Sequence, residues 1–213
     1  MPLPAAALFS GSLQAFWGQH SGADFGIIPL LATGYLKPAG LNLTEEKIMS
    51  FREMKHANQQ LSNEEAIAIL QRGKSGVLAL HGDNDYPYAV PISYVYHEGK
   101  IILHGAPAGH KHELLARDNH VSFCVVDLND IVPQEFTTYF RSAIVFGTVR
   151  TVTDPAEKQA ALEAVGHKYS PDQNGLLPYI GKHFDYVKVM VLEIDHLTAK
   201  ESIELVRAKT SHS

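Results

Sequence analysis

The sequence predicts a mainly β protein in which six strands form one antiparallel sheet, closed as a barrel and flanked by helices. His81–Asp85 and His97–Gly99 supply turn residues for hairpins between the first three strands, and strands do not alternate with helices as parallel sheets require. At 213 residues, 45% of them hydrophobic, the chain can bury a core without disulfides. Six runs have the alternation and composition of strands: Gly76–Leu80, Tyr88–Tyr96, Lys100–His104, His120–Val126, Thr138–Val152 and Tyr186–Ile194.

Capping residues mark the predicted helices. Ser62–Glu65 is a capping box that begins a first helix, and Gly73 ends it. A short helix fits Gly109–Arg117, between the third and fourth strands. A longer helix fits Ala156–Tyr169, because Asp154–Pro155 places a capping acid before a proline in the first turn.

We expect residues 51–213 to form one domain and residues 1–50 to be an N-terminal extension of uncertain status. The extension has no basic start typical of a signal sequence, and Phe25–Leu36 is too short to span a bilayer. It is either a docking arm or the result of a start codon assigned too far upstream of Met49. Within the domain, Pro171–Gly181 is interpreted as a loop or frayed helix.

Charge and cysteine content exclude several function classes. The net charge of −5 gives no reason to expect a nucleic-acid partner, and no segment predicts a membrane span. The single cysteine, Cys124, cannot form an internal disulfide, which favours a reducing, cytoplasmic compartment. It lies in an apolar strand, so a buried structural thiol is expected. We expect no metal site, because His110 and His112 point to different sides of a helix.

One group of residues carries possible chemistry. His104 and Gly105 end the third strand, and Gly109 comes directly before a helix that has Lys111 in its first turn. A cation there opposes the helix dipole unless an anion lies nearby, and glycine lets backbone N–H groups approach a phosphate. Two interpretations remain open: a phosphate site below a strand-lined slot, or a solvated lysine beside a structural histidine.

Residues from about Ser62 to Ser202 resemble the pyridoxamine 5′-phosphate oxidase-like, FMN-binding split-barrel proteins, most of all the nitroimidazole-resistance (Nim-type) branch. The resemblance rests on the order and spacing of these segments: Gly76–Leu80, Tyr86–Tyr94, Ile102–Lys111, Phe136–Gly147 and Thr198–Ser202. It implies a six-stranded split barrel and a homodimer with one FMN in each of two clefts at the subunit interface. The family's usual Gly-Lys near the C-terminus is Ala199-Lys200 here.

The resemblance also implies roles for individual residues. The backbone of Pro91, Ile92, Ser93 and Tyr94 would lie along the flavin ring, which His104 would face. The phosphate would be held by Gly109, His110 and Lys111, with further polar contacts from Arg141 and Ser142. His104 is the candidate catalytic residue, with a pH dependence near an ordinary imidazole pKa of about 6.5. The rival interpretation is that His104 only packs against the ring.

Three functions follow from this resemblance. The leading hypothesis is an FMN-dependent reductase of small, nitroaromatic substrates that takes hydride from NAD(P)H. The alternatives are a non-enzymatic protein that stores or senses flavin, and a haem-binding protein.

The last strand supplies a separate argument for a dimer. It is apolar on both faces, so one face needs a cover beyond the barrel interior. A two-fold partner would supply that cover; the alternative cover is the Ala156–Tyr169 helix of the same chain.

Overall fold

The computed structural model describes residues 51–171 and 174–211, so the extension predicted over residues 1–50 lies outside the described residues. Its strands run in the order β1-β2-β3-β6-β5-β4, all neighbours are antiparallel, and β4 pairs again with β1 to close the barrel. This confirms the predicted fold class. The strands are β1 Ser75–His81, β2 Pro87–His97, β3 Lys100–Gly105, β4 His120–Val132, β5 Thr137–Thr151 and β6 Lys188–Glu201.

The described residues form five α-helices, one before the first strand and four between or after the strands. The capping box of α1 is confirmed: Ser62 Oγ accepts from the Glu65 amide at 3.2 Å, and the Glu65 carboxylate accepts from the Ser62 amide at 3.1 Å. The segment interpreted as a loop or frayed helix contains the regular helix α4, and the C-terminal helix α5 was not predicted. The helices are α1 Asn63–Arg72, α2 His110–Arg117, α3 Pro155–Tyr169, α4 Leu176–His183 and α5 Ile203–Thr210. No helix in the described ranges is long and apolar enough to cross a bilayer.

The core consists of two clusters separated by the sheet. The larger cluster fills the barrel, where Phe123, Leu103 and Leu192 are fully buried and Leu70 of α1 packs against them. The smaller cluster lies outside the barrel wall, where β2, β3 and β6 contact α3 and α4. Its members include Val189 and Val191 of β6, together with Leu162 and Ile180.

This second cluster corrects the argument for a dimer from the last strand. Both apolar faces of β6 are buried within one chain, because α3 and α4 cover the face that points away from the barrel. The helical alternative therefore accounts for that face. A homodimer stays a prediction that needs a different surface.

Strands β4 and β5 continue past the barrel as a two-stranded ribbon. The last β5–β6 pair is Arg141 with Glu201, whereas β4 and β5 stay paired out to Val132 and Thr137. We call the segment Leu128–Phe140 the arm. Along one edge it contacts the C-terminal segment, where the Ser202 amide donates to the Phe140 carbonyl at 2.9 Å.

Candidate functional site

A gap opens in the barrel wall between β2 and β3. Strand β2 pairs with β1 along Pro87–Ser93 but with β3 only along Tyr94–His97. The β3-facing edge of Pro87–Ser93 therefore has no strand partner among the described residues. Pro91 suits this edge, since proline is tolerated in a strand only where no N–H is needed for the ladder.

The side chains of the predicted ring-binding segment alternate between two faces. Pro91 and Ser93 are exposed on the outer surface, whereas Ile92 packs against the barrel core. Tyr94 is fully buried; its hydroxyl donates to the Leu70 carbonyl at 2.8 Å. Burial raises the pKa of Tyr94 far above its ordinary range. Only Pro91 and Ser93 thus present side chains beside the gap.

Tyr169, the last residue of α3, fixes the lower end of the gap. The Tyr94 amide donates to the Tyr169 hydroxyl at 2.9 Å, and the same hydroxyl lies 2.6 Å from the carbonyl oxygens of Tyr94 and Lys74. The backbone of Tyr94 is therefore turned toward the β1 side. Since alternate residues of a strand direct their backbone groups to opposite edges, Ser93 and Pro91 turn theirs toward the gap.

His104 lies on the other side of the gap, at the end of β3. It is opposite Val189 of β6, one residue past the last β2–β3 pair. Burial lowers the pKa of His104, and the nearby ammonium of Lys111 lowers it further. The imidazole is therefore neutral at neutral pH, and its titration lies below the 6.5 expected from the sequence.

Lys111 reaches back from α2 over the end of β3. A Cβ added to Gly105 would lie 3.0 Å from Lys111 Nζ, so the missing side chain makes room for the ammonium. Burial lowers the pKa of Lys111, and no carboxylate within the described ranges forms an ion pair with it. Gly109 has φ +133°, a conformation that favours glycine. The Lys111 charge is thus held in a partly buried position without a counter-ion from residues 51–171 or 174–211.

His110 is occupied elsewhere. Its Nε2 lies 3.6 Å from the Asp83 carboxylate, and its ring meets the Tyr88 ring edge-on at 4.8 Å between centroids. These contacts attach the start of α2 to the β1–β2 turn. His110 therefore positions Lys111 through the helix, and its role as a phosphate ligand stays a prediction.

One protomer does not bring Arg141 to the gap. The Arg141 guanidinium donates to the Glu201 carboxylate at 3.1 Å and to Asp127 at 3.3 Å, so its charge is compensated. Along β6, Arg141 is opposite Glu201 and His104 is opposite Val189, which separates them by roughly 40 Å of strand. Ser142, next to Arg141, lies opposite Val126 on the same distant part of the wall.

Comparison with known proteins now identifies the family. A family model described as pyridoxamine 5′-phosphate oxidase matches residues 62–201. The chain belongs to the pyridoxamine 5′-phosphate oxidase family. The match covers the whole barrel from α1 to the end of β6, which confirms the resemblance seen in the sequence. A search of curated proteins found no match.

Several solved structures share the split-barrel fold. A candidate 5-nitroimidazole antibiotic resistance protein from Bacteroides thetaiotaomicron is 26% identical over 67% of this chain and 86% of that chain, with a TM-score of 0.59. The flavocytochrome Anf3 from Azotobacter vinelandii is 20% identical over 70% and 72%, with a TM-score of 0.61. An FAD and haem binding protein from Mycobacterium smegmatis is 21% identical over 71% and 80%, with a TM-score of 0.57.

Two residues close to the candidate site were not singled out as site residues from the sequence. Lys188 begins β6 opposite Gly105, and His112 contacts the Ala106 carbonyl through Nε2 at 2.9 Å. Both line a cleft of about 610 Å³ beside α2, whose lining includes neither His104 nor Lys111 and no residue of β2. Burial lowers the pKa of His112, with further lowering by the ammonium groups of Lys111 and Lys188. The β3–β6 register brings Lys188 here, and no local sequence signal reveals that pairing.

Proposed function

We propose that this protein binds FMN in the gap between β2 and β3 and uses it to reduce small molecules. The observation that carries the proposal is the partly buried Lys111 ammonium above Gly105, for which the described part of the chain supplies no carboxylate. A phosphate dianion would complete that charge, and the unpaired β2 edge with exposed Pro91 fits a flat, largely apolar ring. The Lys111 charge and the open β2 edge therefore support a flavin that carries a phosphate.

Each residue of the gap has a task in this proposal. Lys111 binds the phosphate, and Gly109 lets the backbone at the start of α2 approach it. The edge at Pro91 and Ser93 orients the ring. His104, neutral at neutral pH, offers a hydrogen bond to a substrate lying over the ring. When bound, the flavin supplies the hydride and electron chemistry, with NAD(P)H as the proposed donor.

The substrate class we propose is nitroaromatic. The support is the candidate nitroimidazole-resistance protein, which covers two thirds of this chain at 26% identity.

The absorption spectrum of the purified protein tests cofactor binding. After addition of FMN, we expect flavin absorption bands whose intensity corresponds to about one flavin per chain. We expect these bands to bleach on anaerobic titration with NADH or NADPH. A Soret band with no flavin would favour the haem alternative. Flavin bands that neither nucleotide bleaches would favour storage or sensing.

We also propose that the folded unit is a homodimer, on different evidence from that first expected. Four exposed apolar side chains lie on the outer face of β1, β4 and β5: Val77, Val126, Ile144 and Phe146, at 39%, 62%, 39% and 38% exposure. We call them the outer patch. Cys124 lies between Val77 and Ile144 in the strand register, on the same face of the sheet. It is half-buried, so the prediction of a buried thiol was wrong. An apolar sheet face of this kind is typical of a protein interface.

Light scattering tests the dimer. We expect twice the chain mass of 23.4 kDa for the wild type and a shift toward the monomer for Val126→Asp. The matched control is Tyr186→Asp, a 74% exposed aromatic outside the outer patch. A monomeric wild type with flavin bound would contradict the dimer and leave the flavin proposal intact.

A further inference from the structure

The short helix α2 carries Lys111 but has few attachments of its own. It spans only His110–Arg117, and a helix of that length is not stable alone in water. It begins after Gly109 without a side-chain cap, and Leu114 is its one buried residue. A single buried side chain fixes one point of a helix and not its direction. Contacts at the two ends of α2 therefore decide where Lys111 lies.

One carboxylate reaches both ends of α2. Asp83 lies in the turn between β1 and β2, with its Oδ1 2.8 Å from Arg117 Nη1 and its Oδ2 3.6 Å from His110 Nε2. His110 is the first residue of the helix and Arg117 is the last. The two oxygens of one side chain thus face the two ends of the helix. Together with the buried Leu114, these contacts hold α2 against both tilting and sliding.

The turn that carries Asp83 is closed by its own hydrogen bonds. The Gly82 amide donates to the Tyr86 carbonyl at 3.0 Å, and the Tyr86 amide donates to the Asp83 carbonyl at 3.1 Å. A Cβ added to Gly82 would overlap the Tyr86 carbonyl oxygen, so glycine is needed for this approach. Asn84 and Asp85 have φ values of +54° and +61°, which these residue types adopt more readily than most. The turn is therefore a defined support for the Asp83 carboxylate.

Exposure limits how much these contacts stabilise the fold. The side chains of Asp83, His110 and Arg117 are each about half exposed, and exposed ion pairs contribute little to the free energy of unfolding. Binding is more sensitive, because a functional group displaced by about 1 Å loses much of its effect. We therefore expect Asp83 to matter more for the position of Lys111 than for stability.

We propose that Asp83 is a positioning residue for the phosphate site, because its carboxylate holds both ends of α2 and so fixes Lys111 above Gly105. The β1–β2 turn then determines how well an anionic ligand meets the Lys111 ammonium. The inference rests on the proposed flavin site for the identity of that ligand. The contacts between Asp83 and α2 are tested without any ligand.

Amide hydrogen exchange of the flavin-free protein tests whether Asp83 holds α2. Asp83→Asn keeps the shape of the side chain and removes its charge. We expect the Asp118 amide, which donates to the Leu114 carbonyl, to exchange about threefold faster or more, together with the last turn of α2. The matched control is Asp85→Asn in the same turn, since Asp85 forms no ion pair within the described ranges. Unchanged exchange in Asp83→Asn would overturn the proposal.

A comparison of FMN with riboflavin tests the positioning. Asp83→Asn should weaken FMN binding about threefold or more and leave riboflavin binding unchanged, because only FMN brings a phosphate to Lys111. Equal losses for the two ligands, or no loss for FMN, would contradict a role at the phosphate site. If the wild type binds neither ligand, the proposed flavin function is wrong, and faster exchange alone would reduce Asp83 to a structural residue of α2.

Charge reversal tests whether Asp83 and Arg117 act as a pair. We expect Asp83→Arg and Arg117→Asp each to weaken FMN binding about threefold or more, and the double variant to recover part of the loss. The double variant has the net charge of the wild type, so a general effect of charge is excluded. Recovery is partial because Asp83→Arg also removes the carboxylate beside His110. Losses that simply add in the double variant would refute the pair.

Discussion

The two ends of the barrel differ in whether their charged side chains have ion-pair partners. At the end closed by α1 and α5, acidic and basic side chains alternate in one continuous chain of ion pairs with contacts of 2.5–3.3 Å: Glu65, Lys209, Glu201, Arg141, Asp127 and Arg72. At the end covered by α2, Lys111 and Lys188 have no such partner in the described part of the chain. The same kinds of side chain thus serve two purposes.

The difference lies in what completes each charge. Glu201 is 1% exposed, and the two cations that flank it come from the same chain, so folding alone satisfies it. The ammonium of Lys111 loses solvation on folding, and no carboxylate among the described residues forms an ion pair with it in return. Charges compensated within the described residues stabilise the fold, whereas the partly buried charge that they leave uncompensated supports the proposed phosphate site.

The largest effect is expected at the paired end. Glu201→Gln leaves Arg141 and Lys209 without their shared carboxylate, and we expect a loss of about 3 kcal/mol in the free energy of unfolding. Urea denaturation of the flavin-free protein measures it, with the exposed Glu98→Gln as control. An unchanged midpoint would mean that the buried network contributes nothing to stability.

Removing a charge at the end covered by α2 should weaken ligand binding without lowering the free energy of unfolding. Lys111→Ala is expected to weaken FMN binding by about 2 kcal/mol, while riboflavin, which lacks the phosphate, is bound as by the wild type. Stability of the flavin-free protein should not fall. Fluorescence titration with both ligands measures the difference, and Lys74→Ala on the surface is the control. Equal losses for FMN and riboflavin would refute the phosphate contact.

A smaller effect is expected between the ends, at the hydroxyl that holds the lower edge of the gap. Tyr169→Phe removes the acceptor of the Tyr94 amide and a donor to the carbonyls of Tyr94 and Lys74. We expect a loss of about 1.5 kcal/mol in unfolding free energy. Amide hydrogen exchange should show faster exchange at Tyr94, and unchanged protection there would contradict the role of Tyr169.

The smallest effect is a pH dependence from the gap. Because burial lowers the pKa of His104 in the folded protein, the unfolded chain takes up this proton first as the pH falls below about 6.5. Stability from His104 is therefore complete above pH 6.5 and decreases below it, down to the lowered pKa. His104→Gln should reduce that decrease in flavin-free protein.

A second histidine near the gap serves as a comparison. His112→Gln should act in the same direction, since burial lowers the pKa of His112 too. If His104→Gln has the same pH profile as the wild type, His104 is not a titrating group of the folded protein in this range.

Local signals sufficed for most elements and failed at bulges. The caps at Ser62 and Asp154 begin helices as predicted, because a cap acts within one turn. Two strands were predicted too short, and both continue past an acidic residue at a register shift. Strand β4 passes Asp127, and β6 passes Asp195. A bulge reverses the alternation of faces, so a period-two pattern ends there although the strand does not.

The site residues also divide into those that a local sequence signal reveals and those that only tertiary structure brings together. Gly109 and Lys111 were found because a glycine before a helix and a cation in its first turn are adjacent in sequence. Lys188 was missed because strand pairing alone brings it to Gly105, and Tyr169 because its contact with Tyr94 spans 75 residues. The compensation of Arg141 by Glu201 was also hidden, since it depends on where β6 ends.

Pro91 has a consequence for the behaviour of this protein in a crowded solution. An unpaired strand edge recruits other strands through its free N–H and C=O groups, and long exposed edges lead to aggregation. At Pro91 the open edge of β2 offers a carbonyl and no N–H, so an incoming strand would lose a ladder bond in the middle of the opening. The barrel wall thus stays open to a small planar molecule while it resists being closed by another polypeptide.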